Sequence, residues 1–270
     1  MPAALSALAP RWNAFWFATG DARPLALLRI LFAFALAEDV RNAHALCRYA
    51  IAGGFHWPYF GWWPLLTQAQ YDAVHWAQLP LILLLGVGVA ARSAALGLLL
   101  LQGLVFGADH LNFRNHGYLF LLVLAVLAVS PAGEALAVGR RKPERPVLLT
   151  AQRLLQVQVT LVYAWAAVHK LHPAYLRGEV LAEILHLKAS FFVVVASWAT
   201  VAGEVFLAVG LWTPRTRRVA VGLAVLMHTV FALTLDIYGF SLTMLGLCLL
   251  FLPPRGSAAP DPGQILGPTG

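Results

Sequence analysis

Phe191-Phe-Val-Val-Val-Ala-Ser-Trp-Ala-Thr-Val-Ala-Gly-Glu-Val-Phe-Leu-Ala-Val-Gly-Leu-Trp212 runs the length of a membrane span with a single charge, Glu204. A helix needs roughly 17–25 mostly apolar residues to cross about 30 Å of hydrocarbon, so the stretch reads as a transmembrane helix. Working outward, similar apolar runs occupy residues 24–40, 76–91, 93–108, 116–131, 149–169, 219–235 and 239–254. Their stops are physical. Arg92 interrupts the second run, Ser130-Pro131 ends the fourth and Pro253-Pro254 ends the eighth. Pro24 suits the first turn of the first span, where its missing N–H costs nothing. The expected fold class is all-α, a polytopic membrane bundle of about eight transmembrane helices.

Composition agrees. The 270 residues are 60% hydrophobic and 11% charged, with mean hydropathy +0.73. Soluble domains carry about 25% charged residues, so a soluble globule is excluded. The net charge of +7 does not indicate nucleic acid as a partner, because the basic residues sit in short clusters between apolar runs rather than along one face. Arg140-Arg141-Lys142 and Arg215-Thr216-Arg217-Arg218 read instead as signals for the cytoplasmic membrane surface. With both termini inside, every such cluster is cytoplasmic, and Arg41, Arg48, Arg114, Lys170, Arg177 and Lys188 face outward. Cys47 and Cys248 form no ligand-spaced pair and no disulfide framework.

The expected organisation is a cytoplasmic N-terminal segment (1–23), a transmembrane domain (24–254) and a disordered tail (255–270) rich in Gly, Pro and Ala. No cleavable signal is expected, and the first span directs insertion. Residues 55–64 are aromatic but too broken by Pro and Gly to span; Trp57 and its neighbours form either an interfacial anchor or the wall of an apolar pocket. Residues 174–190 have the spacing of one amphipathic helix on the same outer surface.

Charged groups inside a bilayer cost at least ~2.5–3.5 kcal/mol near the centre of a span, so those present need partners or roles. Asp109, His110, Asn112, Arg114, Asn115 and His116 precede the fourth span, and His169, Lys170 and His172 close the fifth. His228 lies mid-span, Glu204 lies in the sixth span, and Arg29, Glu38 and Asp39 lie in the first. Arg29 with Glu38 or Asp39 reads as a structural ion pair, and His228 as a hydrogen-bonded core histidine. Two readings stand for Lys170: a side chain reaching up to the headgroups, or an amine short of water that gives up its proton readily and acts as a base.

The stretch Tyr163-Ala-Trp-Ala-Ala-Val-His-Lys170-Leu-His-Pro-Ala-Tyr-Leu-Arg-Gly178 resembles the signature of the vitamin K-dependent gamma-carboxylase membrane domain, often called the HTTM domain. Asn115-His116-Gly-Tyr-Leu119 is similar to that family's Asn-His-x-Tyr-Leu segment. Asp21 to Phe32 resembles its first span, and Glu204, Gly210-Leu-Trp212, Arg215-Thr-Arg217 and Met227-His228 resemble its later ones. These elements keep the family's order across roughly 20–254. Ala167, His169 and Tyr175 stand where the family usually has Gly, Lys and Trp.

The resemblance implies that Lys170 is the base that deprotonates vitamin K hydroquinone or another quinol, with His116 and His228 in the same catalytic centre. It implies that Asn115 lies near the quinol; Asp109, Tyr163 and Trp57 join it as candidate quinol contacts. In the family, the quinol anion reacts with oxygen to give a strong alkoxide base, which removes a proton beside a glutamate carboxylate, and carbon dioxide captures the carbanion. The family's large lumenal domain has no counterpart after the eighth span, which puts carboxylation of a peptide substrate in doubt. The first functional expectation is therefore a carboxylase-like, quinol-dependent membrane enzyme. The second is a non-catalytic protein that binds lipid, quinone or a companion subunit. The third, a metal-dependent oxidoreductase, rests on His169, His172 and the Glu183-x-x-His186 spacing. No metal is expected under the first reading. The expected location is a bacterial inner membrane, with the active centre on the non-cytoplasmic side.

Overall fold

The computed structural model describes residues 10–55, 57–62, 65–139, 146–188 and 190–252. It is mostly helical. The eight apolar runs correspond in turn, to within a few residues at their ends, to α1 (Arg23–Ala52), α2 (Gln68–Val87), α3 (Ala91–Ala108), α4 (Asn115–Val129), α5 (Thr150–Lys170), α8 (Phe191–Gly210), α9 (Arg217–Leu235) and α10 (Tyr238–Leu249). Two short helices intervene, α6 (Pro173–Leu176) and α7 (Glu179–Ile184). Among the described residues, α3, α8 and α9 are long and apolar enough to cross a membrane, and α4 and α10 are shorter apolar helices. Their outward faces expose Leu100, Phe192, Leu226 and Leu233, a coat that suits hydrocarbon and not water.

The sequence expectations need four corrections. First, α1 does not stop at 40 but continues to Ala52, because the charges that look like an exit from the bilayer are bonded inside the bundle. Glu38 accepts from the Gly239 N–H at 3.2 Å and so places a negative charge at the N-terminus of α10, where the helix dipole favours it. Second, α2 starts at Gln68, eight residues before the apolar run, because Thr67 and Gln70 form a capping box. Third, 174–190 is not one helix. Gly178 adopts φ +79° between α6 and α7, where a Cβ would lie 3.1 Å from the Val194 nitrogen. Fourth, the chain is not purely helical: β1 (Thr19–Gly20) pairs antiparallel with β2 (Val147–Leu148).

Arg29 also departs from expectation. It is fully buried, and no ion pair to an acid is seen for it among the described residues; its guanidinium donates to the carbonyls of Ala132 at 2.8 Å and Leu136 at 2.7 Å. The loop after α4 thus folds around a planar fork of N–H donors. Gly88, at φ +81°, lies against the same guanidinium, and a Cβ there would also meet Ala137 Cβ at 2.8 Å.

In the bundle, α1 packs against α2 and α10, α3 against α2 and α4, α5 against α8, and α9 against α8 and α10. The central layer is apolar, with Phe32 of α1 edge-on to Phe120 of α4 at 5.3 Å. Ring pairs in this arrangement add about 0.5–1.5 kcal/mol to the burial itself. The pairing of β1 with β2 marks one end of the bundle, and the opposite one is its distal end. Of the remaining sequence expectations, the tail from 255 and the Arg140-Arg141-Lys142 cluster lie outside the described residues.

Candidate functional site

Two polar clusters are buried toward the distal end. The first is built on α5. Tyr163, Ala167 and Lys170 recur at helical spacing on the buried face of that helix, while Trp165 and Val168 face outward. Lys170 Nζ lies 2.7 Å from Glu204 Oε1 of α8, and 5.8 Å from the centre of the Tyr175 ring of α6. The Lys170 side chain is 25% exposed and that of Glu204 only 4%. Glu204 Oε2 has no hydrogen-bond partner among the described residues. From Phe191 to Glu204, α8 runs about 20 Å at 1.5 Å per residue, so the pair lies well within that helix's length, beneath the α6–α7 cap.

Two turns deeper on α5, the Tyr163 hydroxyl lies 2.9 Å from His228 Nε2 of α9 and 3.4 Å from Cys248 Sγ of α10. His228 is almost fully buried, and its Nδ1 has no hydrogen-bond partner among the described residues. The interior therefore presents an acceptor at Glu204 and a ring nitrogen at His228 with unused bonding capacity. A buried polar atom left unmatched costs about 1–3 kcal/mol, so a ligand that brings a hydroxyl fits here better than a wholly apolar one. Glu204 was legible in the sequence as the one charge in a 191–212 apolar run, yet nothing in sequence pairs it with Lys170.

The second cluster joins α1 to the start of α4. Arg114 Nη1 lies 2.8 Å from Asp39 Oδ1, and His116 Nε2 lies 3.3 Å from the same oxygen. Asp39 is buried, while Arg114 and His116 are partly so. Asn115, between them, heads α4 and is exposed; the buried amide of this segment is Asn112. It donates to the Val105 carbonyl at 2.8 Å and the Tyr71 hydroxyl at 3.1 Å, and accepts from Cys47 Sγ at 3.1 Å. Asp109 is buried as a turn-former, accepting from the N–H of Leu111 at 2.8 Å and of Trp57 at 3.0 Å. Trp57 itself is exposed, with its ring 5.2 Å from that of His110.

Beside this cluster an open groove of about 400 Å³ is walled by Tyr59, Phe60, Phe106, Gly107, Phe113 and Tyr118. Phe106 also lines the small cavity that reaches Asp39 and Arg114, so one ring separates an aromatic groove from a buried ion pair. Outside the spans, burial raises the Tyr59 hydroxyl above its usual pKa, with the Asp109 charge adding to it.

The structure thus brings Lys170 to Glu204, Tyr163 to His228, and His116 to Asp39. The hydrogen bonds and ion pairs of Lys170 do not include Asn115 or His116. His169, His172, Glu183 and His186 are all exposed, and among the described residues no three His, Cys, Asp or Glu side chains are grouped to hold a metal.

A bundle of apolar helices that buries ion pairs between its members defines a polytopic membrane protein with chemistry-bearing side chains in its interior. The profile of the HTTM domain matches residues 17–255, and the chain belongs to the HTTM domain family, a domain associated with the vitamin K-dependent carboxylases. No curated protein and no solved structure gives a significant match.

Proposed function

We propose that the chain is an eight-span membrane enzyme with both termini in the cytoplasm, whose distal end faces the non-cytoplasmic side of a bacterial inner membrane and handles a quinol there. The observation that carries this reading is the Lys170–Glu204 pair, with its unmatched carboxylate oxygen, above Tyr163 and His228. A quinol, when bound, supplies an acidic hydroxyl and the reducing power for reaction with oxygen. The protein's part is proton handling. The Lys170 amine in its neutral form accepts the hydroxyl proton and becomes an ammonium, the adjacent Glu204 carboxylate stabilises that charge, and the quinol leaves the step as its anion. Tyr163 holds Nε2 of His228, which leaves Nδ1 directed for a further hydrogen bond. Val159 and Ala167, buried on the same face of α5, keep water from these groups, which strengthens each of these interactions.

The test is oxygen-dependent oxidation of a reduced naphthoquinone by the purified, lipid-reconstituted protein. Lys170→Ala and Glu204→Gln are each expected to lower the rate at least 100-fold, in line with the 10²–10⁴-fold worth of a positioned acid or base. Unchanged rates in both variants overturn the reading.

A second reading, a non-catalytic protein that binds quinone or lipid, is favoured by the aromatic groove between Tyr59 and Tyr118. It predicts that Lys170→Ala leaves quinone binding intact while Phe106→Ala and Phe113→Ala abolish it.

A further inference from the structure

Among α1, α2 and α3 lies a third set of polar side chains that the proposed chemistry does not use. His44 Nε2 lies 2.6 Å from Asp72 Oδ1, to which Gln68 also donates at 2.7 Å. The His44 ring stacks on His75 with centroids 4.0 Å apart. A cavity of about 20 Å³ is walled in part by His44, Cys47, Tyr71, His75, Gln78 and Gln102. Gln78 and Gln102 are 3% and 8% exposed. Gln78 Oε1, Gln102 Nε2 and His75 Nδ1 have no hydrogen-bond partner among the described residues.

Three unmatched polar atoms on the wall of one cavity are too many to be left dry. Each stranded group costs about 1–3 kcal/mol, and a water needs only about 10–15 Å³ and two to four polar partners. Cys47 and Tyr71 on the same wall are each already bonded to Asn112 behind it. A second cavity of about 10 Å³ shares Gln102 and Val105 with the first and reaches Asp39 and Arg114. Arg114 Nε, at this end, also has no hydrogen-bond partner among the described residues.

We propose that these two cavities hold water and form a proton path from the Asp72–His44 pair at the rim to the buried Asp39 carboxylate, with Gln102 between them. The Asp72 side chain is 35% exposed and that of Asp39 only 4%, so the path runs from an accessible acid to a secluded one. Transfer needs no oxidant and no covalent step. Each water accepts one proton and releases another, and only O–H and N–H bonds are made and broken. The path does not depend on the quinol reading, since it would serve any chemistry that loads or unloads a proton at Asp39 and His116.

Two reporters sit on the path, one per cavity. Cys47 lines the first, while the chain's other cysteine, Cys248, is buried beside Tyr163. Their S–H stretching bands fall in an infrared window clear of other protein absorption, and Cys47→Ser and Cys248→Ser assign them. On transfer of the full chain in lipid nanodiscs to D₂O, Cys47 is expected to exchange at least tenfold faster than Cys248. Gln78→Leu should slow Cys47 at least tenfold, whereas Gln78→Asn, which keeps an amide and leaves room for water, should not. The second reporter is the Arg114 Nε–H proton, followed by NMR, which Gln102→Leu should slow at least tenfold. The proposal is overturned if Cys47 exchanges as slowly as Cys248 in the unaltered protein, a comparison that needs no core variant to fold. Exchange at Arg114 Nε that is unchanged in a folded Gln102→Leu protein overturns it equally.

Discussion

The Tyr163 hydroxyl and His228 Nε2 lie 2.9 Å apart where α5, α9 and α10 meet, and both side chains are buried. Tyr163→Phe keeps the ring but leaves neither nitrogen of His228 with this partner. The expected loss is about 1–3 kcal/mol, the cost of stranding a buried polar group. Adding His228→Leu should return part of that loss, because nothing polar is then stranded. Unfolding curves for both single variants and the double variant measure the coupling, and strictly additive losses would show that the two side chains do not depend on each other.

Asp39 balances Arg114 and His116 across α1 and α4. Asp39→Asn removes the charge and leaves a partly buried guanidinium facing a neutral amide. Breaking a fully buried pair costs about 3–5 kcal/mol; here the loss should be about 2–3 kcal/mol, since Arg114 keeps some access to its surroundings. The double variant Asp39→Asn/Arg114→Leu should be more stable than Asp39→Asn alone, as read by thermal unfolding in detergent.

Arg29 and Gly88 hold one loop in shape. Arg29→Lys keeps the charge but cannot reach both the Ala132 and Leu136 carbonyls with one ammonium, since the fork geometry is specific to arginine. Gly88→Ala would strain a left-handed backbone and press on the same guanidinium. Both variants are expected to increase proteolytic nicking between residues 131 and 139, and Arg29→Lys at least twofold. Equal nicking in the parent and both variants would refute this role.

Tyr175, in the cap outside the spans, has its pKa raised by burial. A folded-state pKa above the unfolded value of about 10 means that the stabilisation is complete below pH 10 and is lost as pH rises through the folded value. Tyr175→Phe cannot ionise. The stability gap between parent and variant should therefore close in the parent's disfavour as pH climbs past about 10, and stay constant from pH 6 to 9. Parallel thermal melts across that range provide the check.

The helices were legible because hydrocarbon demands long apolar runs, and Phe191 to Trp212 could be little else. Their lengths were less so. Glu38 and Asp39 look like the end of a span until Gly239 and Arg114 are seen to satisfy them, and those partners lie 201 and 75 positions away. The same holds for the candidate site. The motif around Lys170 marked α5 as the candidate helix, but Glu204 is 34 positions on and only packing of α5 on α8 brings it near. Asn115 stood out by motif, whereas the helix begins at that residue and turns Asn115 outward, leaving Asn112 as the amide inside. The break at Gly178 was hidden because apolar spacing continues on both sides of it.

The Glu38–Gly239 bond has a consequence for biosynthesis. The helix α1 is seated against α10, which is synthesised much later, and β1 has no strand to pair with until residues 147–148 exist. At about 5–20 residues per second, the 201 positions between Glu38 and Gly239 take on the order of 10–40 s to synthesise. Throughout that interval the nascent helix keeps an uncapped carboxylate and an open flank, so its final docking is among the closing events of assembly rather than the opening one.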